Sequence, residues 1–302
     1  MSNLIRGISE NGGVVFCGVD STEIVRTAEK LHTTSATCSA ALGRLLTGVS
    51  LMGAMLKDDG DSITLRVSGG GPAGVVIACT DAHGNVKGCI DHPLVELPAK
   101  ENGHLDVGGA VGKDGVLTVI RDNKLQKEPT VGQVPLVSGE IAEDITNYYA
   151  VSEQIPTVCA LGVLVDPNTN GVLLAGGLLI QVLPGALPQD IEKLEANIAT
   201  LEPVTTMLAK GMTVEQMVNT ALTGFEVEKL EEIPVHYACT CSREKYYNAL
   251  ATLEPDEIDT LPAVDGKVEA VCPYCCRKYY FTKEELHELA ESVREKRKNV
   301  SK

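Results

Sequence analysis

Between Val14 and about Leu183, apolar and polar residues alternate in short runs separated by Gly-rich turns, the period-2 signature of strands. Ser62–Ser68 (SITLRVS) is one such run. Gly69-Gly70-Gly71-Pro72 then makes a turn, and Gly74–Thr80 (GVVIACT) reads as the next strand. Asp81-Ala82-His83-Gly84-Asn85 has the composition of a hairpin loop before Val86–Ile90. Gly115–Arg121 and Gly132–Leu136 form another candidate pair. The period lengthens to about 3.6 at Thr34–Lys57, and again at Gly139–Gln154, where Ile141, Ile145, Tyr148 and Tyr149 share a face. Strands interrupted by a few helices predict an α+β core of mixed β-sheets packed with helices, over residues 1–185.

After Leu183-Pro184-Gly185 the pattern becomes helical. Pro188 opens a helix with Ile191, Leu194, Ile198 and Leu201 along one stripe, Pro203 breaks it, and Gly211 reads as a C-cap. Thr213-Val214-Glu215-Gln216 matches a capping box, and Gly224 closes that helix. Residues 186–232 therefore read as a helical linker. With nine acids against three lysines from Ala186 to Glu232, and few apolar residues, it must lean on its neighbours. Residues 233–302 read as a small α+β unit: a helix capped by Ser242, a strand over Gly266–Val271, and a final amphipathic helix opened by the capping box Thr282-Lys283-Glu284-Glu285. The tail Arg294–Lys302 carries five basic residues and one acid, which reads as a solvated helix end.

Composition narrows the function classes. The 302 residues suffice for a hydrophobic core without covalent staples. The first residues lack a signal-like apolar stretch, and Gly176, Gly177 and Gln181 interrupt the most apolar later segment, so the expectation is a cytoplasmic protein with no membrane partner. A formal charge of −15 argues against nucleic acid, because phosphate contacts need a surplus of Lys and Arg. In a reducing compartment the ten cysteines are thiols or metal ligands rather than structural disulfides.

Four of those cysteines stand apart. Cys239-Thr240-Cys241 and Cys272-Pro273-Tyr274-Cys275 form two tight pairs, and such pairs place four thiolates around one tetrahedral Zn²⁺, one ion per chain. Four unrelated buried thiols do not explain that spacing. A four-Cys shell leaves no position for water, and His236-Tyr237-Ala238 lacks the H-x-E element of a zinc deaminase, so hydrolysis and deamination are disfavoured. Arg243, Lys245, Arg277 and Lys278 flank the pairs and would favour thiolate. Each pair can also close into a disulfide and release the metal. Zinc contributes about 10–16 kcal/mol to the folding of small zinc peptides, so its loss would unfold a unit of this size.

With this motif the sequence resembles the Hsp33 family of redox-regulated chaperones. The resemblance extends to Gly69-Gly70-Gly71-Pro72, Val131–Leu136 (VGQVPL), Tyr148–Gln154 (YYAVSEQ) and Ala175–Pro184 (AGGLLIQVLP), in family order along almost the whole chain. It implies an ATP-independent holdase, inactive when reduced and zinc-bound. Oxidation would join Cys239 to Cys241 and Cys272 to Cys275, expel zinc, unfold the C-terminal unit and loosen the linker. The activated protein would hold unfolding client proteins, as a homodimer. Cys276, vicinal to Cys275, departs from the simple motif and puts the second pairing in question.

Met207, Met212 and Met217 fall within one short window of the linker. Packing on the core in the resting state and an adaptable client surface after release are both open readings. Cys17, Cys38, Cys79, Cys89 and Cys159 sit in apolar contexts and are expected as buried thiols, and His236 is a candidate donor to a thiolate. Gly69-Gly70-Gly71 lacks the Lys-Ser/Thr of a phosphate loop. No nucleophile–base grouping stands out, so the protein is expected not to be an enzyme. The competing reading is a permanently folded protein whose zinc is only structural and whose basic tail binds RNA.

Overall fold

The computed structural model describes residues 2–124 and 126–300, the side chains of 298–300 excepted. Among the described residues no helix is long and apolar enough to cross a membrane. The chain divides into two compact units, Met1–Ala238 and Cys239–Lys302.

The first unit is built on two five-stranded antiparallel sheets. One contains β1 (Ser2–Ser9), β2 (Val14–Asp20), β8 (Thr157–Val165), β9 (Val172–Val182) and β10 (Val227–Val235), in the order β10-β1-β2-β9-β8. The other contains β3 (Ser62–Ser68), β4 (Val76–Asp81), β5 (Val86–Ile90), β6 (Val116–Asp122) and β7 (Thr130–Pro135), in the order β5-β4-β3-β6-β7. Short helices α1 (Thr22–His32), α3 (Val107–Val111) and α4 (Ala142–Tyr148) accompany the sheets, and a π-helical turn continues α4 over Tyr149–Glu153.

Helix α2 (Ala36–Gly53) packs against strands of both sheets and is buried at every position except Ala36 and Arg44. A helix apolar on all sides has no other stable location. Its small residues permit close approach, and the Ser35 hydroxyl caps it by accepting from the Cys38 N–H. The α+β architecture expected from the hydrophobic pattern is the one observed.

The expected linker is helical through α5 (Pro188–Ala199), α6 (Val204–Ala209) and α7 (Val214–Ala221). Thr213 and Gln216 form the reciprocal capping box. These helices cover the outer face of the first sheet. Leu194, Val204, Met207, Leu208, Met217 and Val218 are buried there together with Ile5, Val14, Phe16, Leu178 and Ile180. Met207 and Met217 are fully buried and Met212 partly so, which gives the resting-state reading of the methionines. Glycines smooth the floor beneath them. A Cβ at Gly162 would stand 2.7 Å from Thr205, and one at Gly176 3.0 Å from Leu208.

One expectation fails at the end of this segment. Val227 onward is not helical but forms β10, antiparallel to β1 with Ser2 opposite Val235. Its acidic residues conceal the strand, which takes its register from a partner more than two hundred residues away. The two compact units divide after Ala238; the division at 185 and 232 read from the sequence pattern is carried into the proposal below.

The second unit comprises α8 (Arg243–Leu250), α9 (Pro255–Thr260), the hairpin of β11 (Lys267–Val271) with β12 (Lys278–Thr282), and α10 (Lys283–Val300). Thr282 and Glu285 cap α10 reciprocally, as their spacing predicts. The core is small: Ile258, Val268, Phe281, Leu286, Leu289, Ala290 and Val293.

Candidate metal centre

Two turns bring the paired cysteines together. In the β11–β12 hairpin, the Cys272 N–H donates to the Arg277 carbonyl and the Cys276 N–H donates to the Cys272 carbonyl, both at 2.9 Å. This tight loop aims the sulfurs of Cys272 and Cys275 to one side. Cys239-Thr240-Cys241 enters from the chain preceding α8, where Ser242 caps the helix by accepting from the Lys245 N–H. The sulfurs of Cys239, Cys241, Cys272 and Cys275 all lie within 4.8 Å of one another.

That spacing fits a metal. Four thiolates at the usual Zn–S distance of about 2.3 Å stand roughly 3.8 Å apart in a tetrahedron. The Cys239–Cys272 sulfurs are 3.7 Å apart and the Cys241–Cys275 sulfurs 3.3 Å apart. Sulfur contacts of this length thus run between the two pairs, as a shared centre requires. All ten cysteines are thiols. Cys276 is exposed, adopts φ +56° and is not part of the four-sulfur group.

Protonation within the group is uneven. Burial pushes the Cys272 thiol up, but hydrogen bonds from the Tyr246 hydroxyl and from the N–H groups of Cys275 and Tyr274 outweigh it and bring its pKa down to about 6. Burial, aided by the sulfurs of Cys241 and Cys272, pushes Cys275 up to about 12 against the N–H of Arg277. Burial likewise raises Cys239. One thiolate flanked by protonated thiols is a soft, preassembled ligand set.

Two tyrosines were missed in the sequence. Tyr279 donates its hydroxyl to Cys241 Sγ at 3.1 Å, and its ring stacks on Tyr246 with centroids 5.1 Å apart. Aromatic side chains near a CxxC look like core until the hairpin turns their hydroxyls inward. Among the flanking cations, Arg277 has its pKa raised by Tyr279 and by the nearby sulfurs of Cys241 and Cys275. Arg243 forms a bidentate pair with Glu285 at 2.7 Å and lies over the Phe281 ring, while Lys278 pairs with Glu269. Lys245 donates to the Thr240 carbonyl, between the first two cysteines.

The remaining candidates fall elsewhere. His236 is held in the first unit through backbone bonds with Val86 and Asn85. Cys17 and Cys38 are buried as expected; Cys79, Cys89 and Cys159 are only partly so, because their strands lie near an edge or an open face. In the basic tail, Arg294 pairs with Asp256, Asp259 and Glu291, and Arg297 with Glu254. The side chains of Lys298 and Lys302 lie outside the described residues.

Known proteins share this arrangement along nearly the whole chain. The 33 kDa chaperonin of Geobacillus sp. is 42% identical over 288 residues, covering 95% of this chain and 97% of its own. That of Enterococcus faecalis is 43% identical over 290 residues, with 96% of each chain covered. The crystal structure of the 33 kDa chaperonin (heat shock protein 33 homolog) from Thermotoga maritima superposes with a TM-score of 0.86 at 38% identity, covering 96% of this chain and 98% of its own. The Hsp33 protein family matches residues 2–282, and the chain belongs to that family.

Proposed function

We propose that this chaperone is a redox-switched, ATP-independent holdase for unfolding proteins, held inactive by zinc on Cys239, Cys241, Cys272 and Cys275. The observation that carries the reading is the group of four sulfurs within 4.8 Å in a unit whose core, among the described residues, is a cluster of seven buried apolar side chains. So small a core needs a staple. When bound, the ion supplies a closed tetrahedral shell and with it folding free energy.

Oxidation removes that support. In each pair two thiols give up two electrons and two protons, and one peroxide becomes two waters. The family resemblance implies that the disulfides join Cys239 to Cys241 and Cys272 to Cys275, each within its own motif. With the C-terminal unit unfolded, residues 186–232 would lose an ordered neighbour in the chain and lift from the sheet. Their departure would uncover Phe16, Leu178 and Ile180, which now pack beneath Met207 and Met217. A contiguous apolar face of this kind holds unfolding chains.

This function requires no catalytic group, and the protein would act in the cytoplasm, as a dimer once activated. The RNA reading is the less favoured one, because two of the tail's five basic residues, Arg294 and Arg297, are already paired with carboxylates. One assay separates the readings. Zinc-loaded protein is treated with peroxide at elevated temperature, metal release is followed with a chromogenic chelator, and light scattering by an unfolding client is recorded. Zinc release with suppressed scattering is expected. Retention of zinc would refute the switch, and release without suppression would refute the holdase.

A further inference from the structure

The four outer edges of the two sheets differ. β10 carries Glu228, Lys229, Glu231, Glu232 and Pro234, all of which discourage strand pairing. β7 is short and ends in Pro135. β5 is closed by the segment after β10, where the Val86 N–H donates to the His236 carbonyl and the Ala238 N–H to the Val86 carbonyl. β8 has none of these devices. Its nine residues, TVCALGVLV, contain no charge and no proline, and β9 is its only strand neighbour.

The ladder identifies the open groups. The Val182 N–H bonds to the Pro156 carbonyl. Antiparallel alternation then turns residues 158, 160, 162 and 164 toward β9 and directs the N–H and C=O groups of Cys159, Leu161 and Val163 outward. Among the described residues, no other element takes up those groups.

This edge lies in a groove of about 720 Å³. One wall is Ala142 and Glu143, and the other is Pro203, Val204 and Thr205. The walls rise from opposite faces of the sheet: Leu161 reaches Gly48 of α2, whereas Thr205 lies over Gly162. A single extended chain can enter. Glu143 and Asp166 line the groove on segments outside the released one, Glu202 there is paired with Lys210 at 2.6 Å, and the cation Arg44 is committed to Glu140.

We infer that β8 captures extended client segments by strand addition, selecting those that alternate apolar residues with Lys or Arg. The inference rests on the holdase reading and names the class of client recognised. Backbone pairing supplies affinity that is independent of sequence, and the acidic walls supply the preference for cations. Residues 202–205 belong to the segment that oxidation would release, so that wall opens on activation and Glu143 and Asp166 remain to supply the charge.

The probe is a fluorescein-labelled nine-residue peptide alternating valine with lysine, titrated by anisotropy into the oxidised full-length protein. Three analogues accompany it: one with aspartate for lysine, and two N-methylated at alternate residues in either register. The parent is expected to bind at least tenfold more tightly than the aspartate form and than one methylated form. The exposed variant Glu143→Lys, on α4 and outside the released segment, should remove most of the preference for lysine while the parent fold is retained by circular dichroism. Equal binding of the parent and both methylated peptides would overturn strand addition. Dissociation of a dimer by the peptide would also overturn the inference, because the edge would then belong to a second copy. If the protein suppresses client aggregation yet the peptides show no preference, this inference fails while the holdase stands. If the preference appears without suppression, the holdase fails.

Discussion

The Tyr279 hydroxyl reaches Cys241 Sγ at 3.1 Å while its ring lies stacked on Tyr246, whose own hydroxyl donates to the Val271 carbonyl at 3.5 Å. The stacked pair therefore ties a sulfur of the first motif to the backbone that enters the second. Donors of this kind orient metal ligands and delocalise thiolate charge, and losing one typically costs about 10–100-fold in metal affinity. Tyr279→Phe keeps the stack and removes the donor. Competition with a chelator should show about tenfold weaker metal binding and faster release under peroxide. A change smaller than about twofold would leave Tyr279 a packing residue only.

A second cluster governs acid stability of the first unit. Glu140 accepts hydrogen bonds from Arg44 at 2.5 Å, from Lys100 and from the Gly108 N–H at 3.0 Å. Burial pushes its carboxyl up, but these partners together hold it below the ordinary value of 4.5. A carboxyl whose folded pKa lies below its unfolded one adds stability that is complete above the unfolded value and is lost as the pH falls through the folded value. Glu140→Gln should cost about 1–3 kcal/mol at neutral pH. It should also flatten the decline in stability below about pH 4.5, measured by urea unfolding at several pH values. An unchanged pH slope would assign the acid sensitivity to other groups.

Features written in a few consecutive residues were legible in the sequence. The Asp81–Asn85 loop, the capping boxes at Thr213 and Thr282 and the cysteine spacing each carry their own chemistry, and each recurs in the structure. Features that depend on distant partners were not. β10 is hidden by its charges because β1 supplies its pairing. The cations beside the cysteines looked like thiolate partners until Glu285 and Glu269 claimed Arg243 and Lys278. Gly176 reads as a break in a hydrophobic run, whereas in the structure it gives clearance to Leu208 of α6.

Cys276 occupies a position suited to glycine. Its φ of +56° lies in the left-handed region, and its N–H closes the turn on the Cys272 carbonyl. A side chain there costs about 1 kcal/mol relative to glycine, partly offset by the entropy glycine loses on folding. Cys276→Gly should bind zinc at least as tightly and release it under peroxide with the same two disulfides by peptide mapping. A slower or altered oxidation pattern would make Cys276 a participant in the switch rather than a bystander.

The strongest test of linker release uses steric force in place of oxidant. Helix α7 lies so close to β2 that a Cβ on Gly18 would stand 2.7 Å from Val214 Cγ1 and 3.1 Å from Val218 Cγ2. Gly18→Ala and Gly18→Val form a graded wedge, with overpacking costs of about 1–3 kcal/mol. The strain should fall on α7, a helix of eight residues, rather than on β2, which is hydrogen-bonded to strands on both sides. Both variants should retain the metal, because the four cysteines lie in the other unit. Limited proteolysis should cut within residues 200–226 more readily, and the reduced, metal-loaded Val variant should suppress client light scattering without peroxide. If proteolysis shows the segment displaced while the reduced protein stays inactive, uncovering the Phe16–Ile180 face is not the activating event. Activity would then have to arise from the unfolded C-terminal unit itself.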